Sequence, residues 1–470
     1  MNIKGVVFYL GFFCFPISIL AFINILYSSY FDYFLSIESY FATLIVSLFL
    51  SILFYVIGKK GNKRIDFIEQ LILIILVYFI IGFLTSIPFY LGNFKITLTN
   101  AFFESISGLT GTGFSIFENI KHLDPTLILW RSSTQWVGGL YFLFFLMIIF
   151  SNKSFNYKMT YLAYSGNSNF KSEENVKNTL LKIFIFYSVL TLIIFTLLNI
   201  SGIRLYNSLN LTMTLVSNGG FLPSDSLNEI ILTNFQKVTL IFSLIISMCN
   251  FYLLFNILNK KILFKDHNED FYLIFFSLIL FCLIYFNNLG SFEAIISVLS
   301  SLSNSGLTIL KIDNNLSLYF LLLTIIGGSI ISNTSGIKLT RFYILLKIAY
   351  SEIIKLISPN SIINTNIYKT DIKIIDDYVK ISFLIFISFF ISLFILSSFL
   401  IFDDIGFERS FKLSILTLTN TVNSQMYNLQ NLNFENLLTS SKISLIIFMI
   451  IGKIELISIF LIFKKIFFKD

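Results

Sequence analysis

The stretch 101-AFFESISGLTGTGF-114 determines the fold, because the chain repeats its pattern three more times. The later copies read 207-NSLNLTMTLVSNGGF-221, 293-EAIISVLSSLSNSGL-307 and 410-SFKLSILTLTNTVN-423. Each copy has about 10 residues of apolar and Ser/Thr character, followed by a short polar stretch. Matching positions in successive copies are 107, 86 and 116 residues apart. A unit of about 100 residues therefore occurs four times along the chain.

The composition of the 470 residues is that of a polytopic membrane protein. Hydrophobic residues make up 56% of the chain and charged residues only 13%, about half of the roughly 25% found in soluble proteins. This excludes an ordinary soluble enzyme, a disordered protein and a nucleic-acid-binding protein. The net charge of +7 does not require an anionic partner, because basic residues also gather at the cytoplasmic face of membranes. Cys14, Cys249 and Cys282 lie in apolar runs and fit neither a metal site nor a disulfide framework.

Ten segments have the apolar length of about 20 residues that a spanning helix needs. They cover residues 6–27, 40–58, 67–91, 127–150, 180–200, 235–258, 271–289, 317–350, 379–402 and 441–464. The eighth segment is too long for one simple crossing and contains three glycines, so we expect two half-helices with a break at membrane depth. With ten spans, the Lys- and Arg-rich segments all fall on one side, which places both termini in the cytoplasm.

The repeats and the two spans before them divide the chain into five parts. Residues 1–66 form a two-helix extension, and four pore repeats cover residues 67–179, 180–270, 271–378 and 379–470. We expect an all-α membrane protein in which each repeat has a helix, a short re-entrant helix, an extended tetrapeptide and a second helix. In the third repeat the second helix is the broken one.

The repeated unit has the features of an ion pore. A segment of 10–14 moderately apolar residues is too short to span a bilayer and is better explained as re-entrant. Non-helical backbone survives at membrane depth only where it lines a cavity or is buried in protein. If each short helix enters from outside and ends mid-membrane, the negative end of its dipole favours a cation at the pore axis. The carbonyls of residues 110–113, 217–220, 303–306 and 419–422 can then coordinate a dehydrated cation.

These segments resemble the TrkH/KtrB/HKT superfamily of potassium transporters over nearly the whole chain. The first copy is similar to the family pattern E-x-x-S-x-x-T-T-T-G, and 130-WRSSTQWVGGL-140 is close to W-R-x-x-x-Q-W-x-G-G. Further similarity lies in 327-GGSIISNTSGIKLTR-341 and 451-IGKIELI-457. The two additional N-terminal spans indicate the TrkH branch rather than the eight-span KtrB branch.

The resemblance implies roles for individual residues. The potassium selectivity filter would consist of Thr110, Gly111, Thr112, Gly113, Ser217, Asn218, Gly219, Gly220, Ser303, Asn304, Ser305, Gly306, Thr419, Asn420, Thr421 and Val422. An intramembrane gate loop would include Gly327, Gly328, Ser329, Ser332, Asn333, Thr334, Ser335 and Gly336. Lys453 stands where relatives commonly have an Arg that faces the pore, and charges at that depth are usually functional. The alternative is a snorkelling lysine, or one paired with Glu455 nearby in the sequence.

The resemblance also implies a biological role. It predicts potassium uptake across the bacterial cytoplasmic (inner) membrane by the ion-translocating subunit of a Trk-type system, without a covalent cofactor. It further implies a homodimer in the lipid bilayer and a separate cytosolic regulator of the TrkA type that binds NAD(H) or adenine nucleotides. A membrane-embedded enzyme is a remote alternative, because no converging carboxylates and no nucleotide or zinc motif occur. An organic-solute carrier is equally remote, because carriers often have two repeats rather than four filter-like segments.

The fourth tetrapeptide departs from the family pattern. Val422 occupies the place of Gly113, Gly220 and Gly306, where we expect backbone angles that a Cβ penalises. A β-branched residue strongly disfavours φ > 0. Three outcomes follow: normal selectivity with local adjustment, a sodium-permeable or weakly selective cation transporter, or a poorly conducting pore.

The gate loop and the outer charges leave two further questions open. Ile331, Asn333 and Ser335 stand where relatives favour Gly, Thr and Gly, so we expect a stiffer loop. Asp403 and Asp404 follow the ninth span on the predicted outer side. They either concentrate cations there or belong to a solvated loop.

Overall fold

The computed structural model describes residues 2–33, 37–62, 65–150, 176–251, 254, 268–285, 290–309, 314–361, 364–368, 373–429 and 432–454. These residues form fifteen α-helices and contain no β-strand. The helices are α1 (Ile3–Tyr30), α2 (Ile37–Gly58), α3 (Phe67–Leu91), α4 (Leu98–Thr110), α5 (Pro125–Phe150), α6 (Val176–Ile200), α7 (Leu205–Val216), α8 (Asn234–Met248), α9 (Asn268–Tyr285), α10 (Ser291–Leu302), α11 (Asn314–Ile326), α12 (Leu339–Ile357), α13 (Asp376–Phe402), α14 (Phe407–Leu418) and α15 (Thr439–Ile454).

Helices lie at all ten predicted spans. Among the described residues, α1, α2, α3, α6, α9 and α13 are long and apolar enough to cross a membrane by themselves. The eighth predicted span is divided into α11 and α12, as expected, and the helix of the sixth ends earlier than predicted, at Met248. Most of the sixth span beyond Phe251, the tenth span beyond Ile454 and several of the basic segments lie outside the described residues.

A short helix follows the first helix of each repeat, as the sequence predicts. These pore helices, α4, α7, α10 and α14, are 12 or 13 residues long. At 1.5 Å per residue they extend about 20 Å, which is too short for a hydrocarbon core of about 30 Å. In the first of them a hydroxyl finds its partners in the neighbouring helix: Ser105 Oγ donates to the Gly82 carbonyl at 2.6 Å and lies 2.6 Å from Thr85 Oγ1. This polar pairing lets α4 lie buried against α3.

Glycines allow the second helix of two repeats to contact the last turn of its own pore helix. A Cβ at Gly138 of α5 would overlap the Leu109 carbonyl of α4, and one at Gly452 of α15 would overlap the Leu418 carbonyl of α14. Leu109 and Leu418 each directly precede a tetrapeptide, so the two contacts are equivalent in the first and fourth repeats. The close packing fixes the place where these pore helices end.

The N-terminal helices α1 and α2 pack as a pair beside the first repeat. Ser51 Oγ of α2 donates to the Gly11 carbonyl at 2.9 Å, and Tyr141 OH of α5 donates to the Phe13 carbonyl at 2.6 Å. Another face of α1 leaves large apolar side chains exposed, as a surface in contact with lipid does; they include Phe12, Phe15, Ile19 and Phe22.

Candidate functional site

The four predicted tetrapeptides meet at the ends of the four pore helices. Asn304 Nδ2 of the third donates to Thr421 Oγ1 of the fourth at 3.3 Å, which joins these two. Asn420 Nδ2 of the fourth donates to Thr112 Oγ1 of the first at 2.9 Å. A Cβ at Gly113 would lie 2.9 Å from the backbone of the second tetrapeptide, so the first and second are also neighbours. The tetrapeptides therefore form a ring in chain order, with the second opposite the fourth.

Position two of every tetrapeptide has a left-handed backbone conformation. The φ angle is +78° at Gly111, +56° at Asn218, +60° at Asn304 and +48° at Asn420. Glycine adopts this region freely, and asparagine visits it more readily than most residues that have a Cβ. The sequences TG, SN, SN and TN thus give the chain the same sharp turn at the end of each pore helix.

The asparagines at position two also attach the ring to the surrounding helices. Each donates through Nδ2 to a main-chain carbonyl in the second helix of its own repeat: Asn218 to Ser247 at 3.0 Å, Asn304 to Thr324 at 2.9 Å and Asn420 to Met449 at 2.9 Å. This anchoring role does not follow from the sequence. Its only signal was the recurrence of Asn at the same place in three copies.

At position four, the backbone conformation agrees only in part with the expectation that a glycine is needed there for φ > 0. The φ angle is +76° at Gly113 and +64° at Gly306, but it is not positive at Gly220 or Val422. The expectation is therefore correct for the first and third tetrapeptides and wrong for the second and fourth. Valine therefore replaces glycine at a place where φ is not positive, and Val422 does not have the left-handed strain that the sequence led us to expect.

Side-chain hydroxyls at positions one and three bond to each other rather than to the ring centre. The Oγ–Oγ distances are 2.7 Å for Thr110–Thr112, 3.0 Å for Ser303–Ser305 and 2.9 Å for Thr419–Thr421. In the second tetrapeptide, Ser217 Oγ donates to the Met213 carbonyl at 2.9 Å. Gly219, which stands at position three there, packs against the side chain of Gln135.

The main-chain carbonyls of the ring are almost all without partners. Among the described residues, none of the sixteen accepts a backbone N–H. A side chain bonds only one of them, the Thr419 carbonyl, to which Thr421 Oγ1 donates at 3.3 Å. Buried carbonyls in proteins nearly always have a partner. Since the side chains bond to surrounding protein, these carbonyls are free to act as ligands for a dehydrated cation.

A vestibule of about 1060 Å³ opens on the side of position four. Its lining includes all four residues of that position, Gly113, Gly220, Gly306 and Val422. The carboxylates of Glu118 and Asp225 line it as well, and negative charge in a concave mouth raises the local concentration of cations. The sequence marks neither as part of a site, because each is a single acidic residue in a polar connection.

Asp403 and Asp404 do not line the vestibule. Asp403 instead accepts hydrogen bonds from the hydroxyls of Ser440 and Ser441 at the start of α15. The bonds from Ser441 and Ser440 lower the pKa of the Asp403 carboxyl below its usual value. The geometry therefore favours a solvated loop, in which Asp403 caps the start of α15, over a role in concentrating cations.

The stretch 130–140 supports the ring from behind. Trp130 Nε1 donates to the Thr85 carbonyl at 3.1 Å, which attaches α5 to α3. Gln135 Oε1 accepts from the Phe221 N–H at 3.3 Å, directly after the second tetrapeptide. The residues that carry the family resemblance in this stretch thus hold α5 in place and position the ring.

A buried ion pair fixes the chain where it leaves the first tetrapeptide. Arg131 Nε lies 2.8 Å from Glu104 Oε1, and both side chains are almost fully buried. Glu104 Oε2 accepts from the Ile116 N–H at 2.9 Å, and Arg131 Nη2 donates to Ser115 Oγ at 2.9 Å. The guanidinium carbon also lies 4.1 Å from the centre of the Phe221 ring. Charge-assisted bonds of this kind are among the strongest in proteins.

The predicted gate loop lies on the side of the ring opposite the vestibule. Asn333 Nδ2 donates to the Val216 carbonyl at the end of α7 at 2.9 Å, and Ser335 Oγ donates to Asn420 Oδ1 at 2.9 Å. Lys453 Nζ of α15 is buried and donates to the Asn333 carbonyl at 2.8 Å. The loop therefore crosses beneath the ring and contacts the second and fourth repeats. Two of the three departures from the family pattern, Asn333 and Ser335, make these contacts.

Thr334 is the centre of the loop's internal hydrogen bonds. Its Oγ1 accepts from the Gly328 N–H at 3.2 Å and from Lys338 Nζ at 2.8 Å, and it lies 2.6 Å from Ser332 Oγ. The third departure, Ile331, is buried and its carbonyl accepts a bond at 2.8 Å from the chain after α8. These bonds hold the loop in a single buried arrangement.

The ends of the loop are anchored separately. Gly327 and Gly336 have φ of +68° and +82°, and the Ser329 N–H donates to the last residue of α8 at 3.2 Å. Glu269 at the start of α9 accepts from the Ile330 N–H at 2.9 Å. In the sequence, Glu269 is only an acidic residue just before an apolar span, and nothing there marks this contact. The alternative partner of Lys453, residue 455, lies outside the described residues.

Comparison with known proteins agrees with this architecture. The model of the TrkH family, described as a cation transport protein, matches residues 36–288, which is more than half of the chain. The chain belongs to the TrkH family. This TrkH-family chain is 26% identical over its whole length to an uncharacterized cation transporter of Methanocaldococcus jannaschii, of which it covers 97%. It is 24% identical to the Trk system potassium uptake protein TrkH of Escherichia coli, over 68% of this chain and 70% of that protein.

The TrkH fold is also found in a solved structure. The crystal structure of the potassium transporter TrkH from Vibrio parahaemolyticus superimposes with a TM-score of 0.87 at 18% identity, and the match covers 100% of both chains. At this identity the match concerns the fold. The predicted fold class, an all-α polytopic membrane protein with four pore repeats and two additional N-terminal helices, is confirmed, and so is the predicted family.

Proposed function

We propose that this TrkH-family chain is the ion-translocating subunit of a potassium uptake system. The observation that carries the proposal is the ring of main-chain carbonyls, of which all but the Thr419 carbonyl are without hydrogen-bond partners among the described residues. Four pore helices end at this ring, and the negative ends of their dipoles favour a cation there. The sixteen tetrapeptide residues act as the selectivity filter, and their carbonyls replace the hydration shell of K+. The membrane potential drives uptake with about 2.3 kcal/mol per charge for each 100 mV.

The test is growth of a potassium-uptake-deficient bacterium at low external potassium, with rubidium and sodium uptake measured in parallel. The wild-type chain should restore growth, and Gly113→Ser should abolish the rescue, because its Cβ would lie 2.9 Å from the Gly220 Cα at a φ of +76°. Gly406→Ser is the matched control, since a Cβ there would have nothing within 4 Å. A well-expressed wild type that takes up neither ion, even with a Trk regulatory subunit present, would contradict the proposal.

Val422 favours a second candidate, a sodium-permeable or weakly selective cation transporter. It gives position four a side chain that the other three tetrapeptides lack there, so the outermost layer of ligands differs from the inner three. Sodium uptake without growth rescue would support this candidate. Growth rescue with no sodium uptake would contradict it.

We further propose that the loop beneath the ring is the gate of the pore. Its residues Gly327, Gly328, Ser329, Ser332, Asn333, Thr334, Ser335 and Gly336 are all buried or nearly so. Lys453 holds the loop through the Asn333 carbonyl and places a positive charge on the cation's route. Opening then requires this bond to break and the loop to leave the space beneath the ring.

The proposed setting is the inner membrane of a bacterium, with both termini in the cytoplasm. The relatives named as parts of a Trk system support a chain that works with further subunits. We propose that it forms a homodimer and works with a cytosolic TrkA-type regulator that binds NAD(H) or adenine nucleotides. The basic segments that the sequence predicts on the cytoplasmic side are the part of the chain that we propose for docking of that regulator. Co-purification of the chain with such a regulator, and the mass of the purified complex, would test both points.

A further inference from the structure

Val422 projects into the middle of the ring at position four. A Cβ at Gly113 would lie 3.0 Å from Val422 Cγ2, and one at Gly306 would lie 2.7 Å from Cγ1. A Cβ at Gly220 would lie 2.8 and 2.9 Å from the two methyl carbons. Because a Cβ is about 1.5 Å from its own Cα, each glycine Cα lies within about 4.5 Å of a Val422 methyl carbon. The isopropyl group thus contacts position four of all three other tetrapeptides.

The contact with Gly220 shows that the side chain crosses the ring. The second tetrapeptide lies opposite the fourth, so a group that touches both occupies the axis between them. Atoms in van der Waals contact leave no space for a cation with its oxygen ligands. Methyl groups also have no lone pairs, and they cannot replace the water that a cation would lose there.

The obstruction is confined to the side chain. Before position four, the fourth tetrapeptide resembles the others: Asn420 has a left-handed φ of +48°, and the hydroxyls of Thr419 and Thr421 pair at 2.9 Å. Val422 is half-buried and faces the vestibule, so its side chain has open space on one side. The three inner layers of carbonyls therefore keep their arrangement behind an apolar outer layer.

We propose that Val422 is an apolar cap on the outer end of the filter, and that a cation passes from the vestibule only when this side chain is displaced. The proposal rests on the function proposed above and adds a residue that determines affinity and ion preference. The cap removes the outermost ion site and adds a barrier in front of the inner layers. A larger cation requires a larger displacement, so the cap disfavours rubidium and caesium more than sodium.

The experiment compares Val422→Ala, Val422→Gly and Val422→Ile with the wild-type chain. Inward rubidium and sodium flux is measured in liposomes under an imposed negative interior potential, and rubidium binding is measured on the detergent-purified protein. Val77→Ala is the matched control, because it removes the same atoms from a buried valine of α3. We expect at least fivefold higher rubidium flux and tighter rubidium binding in the Ala and Gly variants. We expect no gain in Val422→Ile or Val77→Ala, and a higher ratio of rubidium to sodium flux in Val422→Gly.

The flux and binding measurements distinguish a failure of the cap proposal from a failure of the proposed function on which it rests. Rubidium flux and binding within twofold of wild type in both Val422→Ala and Val422→Gly would overturn the cap. Tighter rubidium binding in Val422→Gly without flux in any variant would support the cap and contradict translocation. The lack of both flux and binding in every variant would overturn both proposals.

Discussion

At the scale of single residues, Asn420 combines a conformational and a bonding role. Its left-handed φ of +48° disfavours most other residues with a Cβ. Its amide bonds Thr112 Oγ1, the Met449 carbonyl and Ser335 Oγ. Asn420→Gly loses the buried bonds, which costs about 1–3 kcal/mol. Asn420→Ala loses them too and adds roughly 1–2 kcal/mol of backbone strain. The melting temperature in detergent should therefore be highest for the wild type, lower for Asn420→Gly and lowest for Asn420→Ala.

Asn428 provides the control for Asn420. It also has a left-handed φ, of +58°, but it is exposed. Asn428→Gly should have the melting temperature of the wild type. Asn428→Ala should lower it only by the cost of holding alanine in the left-handed conformation. If Asn420→Gly also melted like the wild type, the anchoring role assigned to the position-two amides would be wrong.

The buried pair of Glu104 and Arg131 leads to a second prediction at this scale. Glu104→Gln leaves the Arg131 guanidinium buried without a countercharge, and breaking such a pair costs about 3–5 kcal/mol. We expect a large fall in melting temperature and in the yield of folded protein. The exposed pair of Lys121 and Glu229, 2.7 Å apart, is the comparison, and Glu229→Gln should change little. Equal melting temperatures of Glu104→Gln and Glu229→Gln would show that the buried pair does not hold the filter.

At the scale of elements, the loop between α11 and α12 and the helix α15 are coupled by one bond. Lys453→Met keeps the length of the side chain but removes both the bond to the Asn333 carbonyl and the positive charge beneath the ring. We expect rubidium flux to rise several-fold in liposomes. Lys380→Met, which removes an exposed charge from α13, should leave the flux unchanged. Lower or unchanged flux in Lys453→Met, with normal melting, would contradict a gate held by this lysine.

The elements also show what the sequence could and could not predict. Apolar length and fourfold repetition predict the pore helices, the broken span and the tetrapeptides. Both features can be recognised from the residue types along the chain. The role of position two cannot be predicted from the sequence, because glycine and asparagine are different residue types that adopt the same left-handed turn. Glu118, Asp225 and Glu269 were missed for another reason. Each works through contacts with residues distant in the sequence, and no local pattern marks such contacts.

At the scale of the whole molecule, the orientation in the membrane is the main prediction. The basic segments predict that Lys355 on α12 is cytoplasmic and that Lys121 beside the vestibule is outside. Both side chains are about half-exposed. In a Cys282→Ser background, which removes the exposed native cysteine, a membrane-impermeant maleimide should label Lys121→Cys in intact cells. Lys355→Cys should react only after the cells are opened, and the reverse pattern would invert the topology.

The vestibule has a quantitative consequence for supply. One cation confined to its 1060 Å³ corresponds to a local concentration of about 1.6 M. A single ion drawn in by the two carboxylates therefore presents the ring with a solution far more concentrated than a dilute medium. The mouth of the protein acts as a small reservoir, and uptake should saturate once the outside concentration is high enough to keep one ion in it.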